Sequence, residues 1–115
     1  MGTDRSLLSG DMALLVLELL REGDLYGYEM TEALEKRSEN AFRLKAGTLY
    51  PLLHAMERAG WVESYEGESA AGKPRRYYRL TEAGRAALEE KKQVWTTYAA
   101  AMRRVLGGEE HVSQP

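Results

Sequence analysis

The run Lys73-Pro74-Arg75-Arg76-Tyr77-Tyr78-Arg79 holds four cations and two tyrosines in seven residues, with no carboxylate among them. Guanidinium forks, an ammonium group and phenols in a row suit the binding of phosphate oxygens. Cations placed there release counterions and supply affinity that does not depend on base sequence. A second polar series, Tyr50, His54 and Arg58, recurs at steps of four and so lies along one side of a helix. Lys45 and Thr48 stand just ahead of it.

The groups that covalent chemistry would need are absent or scattered. Zero cysteines remove thiolate metal sites, thiol nucleophiles and disulfides together. The two histidines, His54 and His111, are far apart, the second in a polar tail. Glu89-Glu90 and Glu109-Glu110 could be imagined as acid/base pairs, but on a helix surface or a tail they are better read as solvated. No nucleophile, base and oxyanion donor converge, so the chain is expected to be no enzyme and to need no metal or cofactor.

A net charge of -2 and an isoelectric point near 5.7 argue, taken alone, against a polyanionic partner. The distribution reverses that reading. Residues 43–79 carry seven basic against four acidic side chains, while the rest of the chain carries nine against fourteen.

These side chains must be positioned by a small scaffold. The 115 residues, 43% hydrophobic and 30% charged, are enough for one modest core. No stretch is apolar enough for a membrane span, and no basic segment followed by an apolar run marks a signal peptide, so a cytoplasmic protein is expected.

About Gly10 to Glu22 reads as a helix whose charged members, Glu18, Arg21 and Glu22, share one narrow side; such a helix needs two burial surfaces. A second helix is predicted from Tyr26 or Gly27 to Ser38, with Tyr26, Met30, Ala33, Leu34 and Arg37 on its stripe. A third is predicted from about Gly47 to Ala59, stopped by Gly60. Pro51 asks that this helix begin close before it. Trp61–Tyr65 and Arg75–Leu80 then alternate as strands, joined by a long, mobile tip over Glu66–Pro74. Thr81 can cap a last helix running to about Leu106, whose stripe includes Val94, Trp95, Tyr98, Met102 and Val105. Its far half needs a partner outside its own core. Residues 107–115 read as a disordered tail.

Three short helices, a hairpin and a helix are the order of a winged helix-turn-helix, mainly α with a small β-hairpin. Within that order, three runs resemble the PadR family of transcriptional regulators. Gly47-Thr48-Leu49-Tyr50-Pro51-Leu52-Leu53, continuing through Met56-Glu57-Arg58-Ala59-Gly60-Trp61-Val62, is similar to its third helix. Gly72-Lys73-Pro74-Arg75-Arg76-Tyr77-Tyr78-Arg79-Leu80-Thr81-Glu82-Ala83-Gly84 is similar to its wing and the start of its dimerisation helix, and Tyr26-Gly27-Tyr28-Glu29 to the start of its second helix. The likeness spans about residues 7–106 and is to the short members.

The resemblance implies a DNA-binding domain over residues 1–81, with the wing at 62–80, and a dimerisation helix over 82–106. It implies a homodimeric repressor on a pseudo-palindromic operator in double-stranded DNA, with half-sites roughly 34 Å apart, released by a small planar hydrophobic effector. DNA contacts are expected from Lys45 and Thr48 at the start of the third helix, from Tyr50 and His54 unless these only pack, and from Lys73, Arg75, Arg76 and Tyr78 in the wing. Some short members sense aromatic drugs through paired tryptophans at the dimer axis. The resemblance puts Trp95 at the matching position, with Leu14, Leu17, Ala99 and Met102 beside it and Leu7 and Arg21 on the same side of the first helix. The interface itself would use Leu7, Leu14, Val94, Trp95, Tyr98, Met102 and Val105. Trp95 is equally readable as an interface anchor with no ligand, and the whole domain as a protein-interaction winged helix without DNA.

Overall fold

The structure, a computed structural model, describes residues 2–107, with side chains from Met12 onward. Four helices and three short strands follow one another as α1 (Gly2–Arg21), β1 (Leu25–Tyr26), α2 (Gly27–Arg37), α3 (Ala46–Arg58), β2 (Val62–Glu68), β3 (Pro74–Leu80) and α4 (Glu82–Leu106). The first helix begins earlier than its apolar periodicity predicts, at Gly2. Residues 108–115, with His111 and Glu109-Glu110, lie outside the described residues, as does the side chain of Leu7.

The core is built where α1 meets the inner faces of the other elements. Val16, Leu17, Leu19 and Leu20 of α1 pack with Met30 and Leu34 of α2, Leu49, Leu53 and Met56 of α3, and Leu88 of α4. Burying a side chain of this size contributes roughly 1.5–3 kcal/mol.

Each helix has a local reason for its bounds. Glu29 reaches back to accept the Tyr26 backbone N–H at 3.1 Å, which satisfies an amide at the start of α2. Tyr26 therefore precedes α2 and does not join its buried stripe as the periodicity predicts. Thr81 caps α4: its Oγ accepts the Gly84 N–H at 3.0 Å and donates to the Gly60 carbonyl at 2.6 Å. Gly107, at φ 71°, ends the helix in the left-handed conformation. Pro51 sits beyond the first turn of α3, so the Gly47 carbonyl has no N–H four residues on.

The sheet has the order β1-β3-β2, with both pairings antiparallel. Leu25 and Tyr26 add a third strand that the sequence does not signal, pairing with Tyr78 and Tyr77. The hairpin is longer and its tip shorter than predicted. Pairing continues to Glu68 opposite Pro74, and the tip is closed by Ser69 N–H to Lys73 C=O and Gly72 N–H to Ser69 C=O, both 2.8 Å. Gly72, at φ 80°, makes that turn.

Candidate nucleic-acid interface

In α3, Leu49, Leu53 and Met56 face the core, and this leaves Lys45, Thr48, His54 and Arg58 exposed on the opposite side. Lys45 is the N-cap, so its cation stands where helix amides also point outward. Tyr50 is 41% exposed, and the rest of its ring rests on Gly27: a Cβ there would lie 2.8 Å from Tyr50 Cζ. The tyrosine thus spaces α3 from the start of α2 and still shows an edge to solvent.

Alternation divides the wing into two unlike faces. The inner face, continuous with α3, carries Val62, Ser64 and Glu66 opposite Leu80, Tyr78 and Arg76. Arg76 Nη1 donates to Ser64 Oγ at 3.0 Å, Ser64 Oγ donates to Glu57 of α3 at 2.9 Å, and Arg76 Nη2 lies 3.0 Å from Glu66 Oε2. The outer face is a layer of rings between cations. Tyr65 stacks on Tyr77 at 5.6 Å, and Tyr26 meets Tyr77 edge-on at 5.4 Å. Arg75 lies 5.2 Å from the centre of the Tyr26 ring, and Arg79 lies 5.0 Å from that of Tyr65. The Tyr65 hydroxyl donates to Asp24 at 2.6 Å, and the carboxylate beside it raises the phenol above its ordinary range.

One expected site residue is corrected by this geometry. Tyr78 is 1% exposed and belongs to the core, because the strand period puts it on the face that α1 and α3 cover; its side chain cannot reach DNA. Arg75 and Arg76 point to opposite faces, so only Arg76 shares the side of α3. At the tip, the Lys73 side chain has no partner among the described residues. Glu57, Ser64 and Glu66 were not anticipated as members of this surface, although Glu66 opposite Arg76 follows once the hairpin register is known.

A groove of about 260 Å³ opens between α1 and α4, lined by Leu14, Leu15, Glu18, Phe42, Lys92 and Trp95. Leu17, expected there, is fully buried in the core instead, since the groove side of α1 is the Leu14–Glu18 side. Ala99 and Met102 follow Trp95 along α4 outside the groove lining. Glu18 joins the two helices: Arg21 Nη2 is 2.7 Å and Lys92 Nζ 2.9 Å from its oxygens. The hydrogen bond from Arg21 is the main cause that holds its carboxyl at about 2, against its partial burial and helped by Lys92. Phe42 and Lys92 come from segments distant in sequence, so no local pattern joins them to Leu15 and Glu18 of α1.

Beyond Leu88, the large apolar residues of α4 stand in solvent: Val94 is 65% exposed, Trp95 50%, Tyr98 58%, Met102 42% and Val105 84%. Among the described residues no three metal-ligating side chains gather, and no helix is long and apolar enough to cross a membrane.

A helical triplet whose third member exposes a polar, cationic side next to a β-hairpin is a winged helix-turn-helix, a class built to set one helix in a DNA groove. Comparison with known proteins narrows the class. The profile of the transcriptional regulator PadR-like family matches residues 16–90, and the chain belongs to that family. It is 38% identical over 98 residues to a transcriptional regulator of Mycobacterium tuberculosis, covering 85% of each chain. Its fold matches a PadR family transcription regulator from Clostridium difficile (TM-score 0.70, 38% identity, 82% of this chain and 96% of that one). It also matches a PadR-like transcriptional regulator from Bacillus cereus (TM-score 0.75, 29% identity, 95% and 100%). The family is one of DNA-binding regulators, not of enzymes.

Proposed function

We propose that the chain acts as a homodimeric cytoplasmic repressor. Two α3 helices and two wings would grip a pseudo-palindromic operator, and a small planar hydrophobic effector would release it. The observation that carries this reading is the apolar far half of α4, from Val94 to Val105, which a solitary domain leaves exposed over several turns. A second copy packed along it covers Trp95, Tyr98 and Met102 and presents two DNA surfaces on one side, so that each protomer contacts one half-site.

Lys45, Thr48, Tyr50 and His54 of α3, with Lys73 and Arg76 of the wing, are the proposed DNA contacts. The groove beside Trp95 is the proposed effector site; Leu14, Leu15 and Phe42 supply its apolar walls. A ligand there changes DNA affinity only as far as it prefers one spacing of the two wings over the other.

Fluorescence anisotropy on the DNA upstream of its own gene, across a salt series, tests the core of the proposal. Binding that weakens steeply with salt supports it, and no binding to any duplex overturns it. Adding planar aromatic compounds tests the effector: release of DNA, with tryptophan quenching that is lost in Trp95→Phe, is the expected result. One observation favours a protein-interaction module instead, namely that Arg43, Arg76 and Arg79 each already hold a carboxylate of this chain. That reading expects no salt-dependent DNA binding.

A further inference from the structure

The wing cation best placed beside α3 is already occupied. Arg76 faces Glu66 directly across the β2–β3 ladder, with 3.0 Å between Nη2 and Oε2, and its other nitrogen is held by Ser64, which Glu57 of α3 orients in turn. Both partners of the ion pair are open to solvent, the Arg76 side chain 56% exposed and that of Glu66 68%. Ser64 and Glu66 take positions at Nη1 and Nη2 while other N–H groups of the fork stay open, so an incoming phosphate can make a two-point bond through Nη2 only by displacing a carboxylate of similar charge and geometry.

We infer that Glu66 is a specificity-determining residue, which holds the Arg76 guanidinium as an internal stand-in for DNA phosphate until the rest of the interface is aligned. The inference rests on the DNA-binding reading above. At a random phosphate the exchange gains almost nothing, because one anion replaces another and the freed Glu66 repels the backbone it now adjoins. Where α3 and Lys73 have fixed a phosphate opposite the guanidinium fork, a two-point bond forms in full and outweighs the loss. Lys73, uncommitted at the tip, serves every sequence alike. Glu66 thus lowers binding to unrelated DNA more than to the operator, in keeping with a chain whose net charge is -2.

The test uses the full chain, a duplex selected by the wild-type protein from a random pool, and a scrambled duplex of the same composition. Glu66→Gln is expected to strengthen binding to the scrambled duplex about fivefold and to steepen its salt slope by about 0.9, the value of one added phosphate contact. Binding to the selected duplex should change by less than about twofold. The effect should vanish when Glu66→Gln is made on an Arg76→Gln background, while Glu68→Gln, which removes a nearby charge not paired to Arg76, should leave the ratio of the two affinities as it was. Equal strengthening on both duplexes, no strengthening on either, or the same result from Glu68→Gln overturns the role of Glu66. Failure of the wild-type protein to select any sequence overturns the DNA-binding reading itself.

Discussion

The ring of Tyr50 lies against the α-carbon of Gly27, so closely that a methyl group at position 27 would meet both its hydroxyl and Cζ. One contact therefore sets how far α3 stands from the start of α2. Gly27→Ala is expected to cost about 1 kcal/mol, because the half-exposed ring can swing outward at the expense of its packing. In a Tyr50→Ala background the same substitution should be neutral or slightly stabilising, since alanine favours helix. Urea unfolding of the four proteins, read as a double-mutant cycle, checks the coupling.

Gly84 presents the harder case. A side chain there would strike the Trp61 carbonyl, which is backbone and is itself held by the Thr81 N–H at 3.0 Å. Neither group can step aside without uncapping α4. Gly84→Ala should destabilise the domain by about 3 kcal/mol, visible as a lowered urea midpoint, and no second-site truncation of a side chain should restore it.

Glu18 ties α1 to α4 through Arg21 and Lys92, and its carboxyl is lowered from 4.5 to about 2. A group whose folded pKa is depressed stabilises the fold fully above its unfolded value and loses that contribution as pH falls to the folded one. The relevant window therefore runs from pH 4.5 down to about 2. With the carboxylate partly solvated, Glu18→Gln should cost about 1 kcal/mol at neutral pH and nothing near the bottom of that window. Stability of the two proteins measured across this range should converge as the acid titrates.

Tyr98 is 58% exposed in the middle of the bare stretch of α4. Tyr98→Glu puts a charge into the proposed dimer seam without disturbing the core, and should give a folded monomer by sedimentation equilibrium. Loss of the second half-site should then weaken binding to a two-half-site duplex by about 100-fold. An unchanged dimer would remove α4 from the interface.

The helices were legible because their apolar residues recur at the helical period and because Gly60, Thr81 and Gly107 mark their ends. β1 was not, since two residues carry no alternation to read and their pairing with Tyr77 and Tyr78 is purely tertiary. The wing shows the same limit more finely. Alternation places Arg76 and Tyr78 on one face, but only the packing of α1 and α3 decides that this is the buried one, so Tyr78 fills the core while Arg76, beyond its edge, stays in solvent. On the groove side, Leu14 and Trp95 are named by the family resemblance and not by a local pattern. Phe42 and Lys92 come from other elements, and no local pattern in the chain brings them together.

The layer of Tyr26, Tyr77 and Tyr65 on the outer face of the sheet bears on how motion travels. It joins the middle of the hairpin to the residues that open α2, and at Tyr77 and Tyr78 β3 is held by strands on both sides. Up to Tyr77 the wing is then tied into the same body as the start of α2, and beyond it, toward Lys73, the hairpin runs on as two strands. A small rotation of that body about α4 would carry the near half of the wing with it, and the distance from axis to tip would convert it into a larger sweep at Lys73, as a lever does.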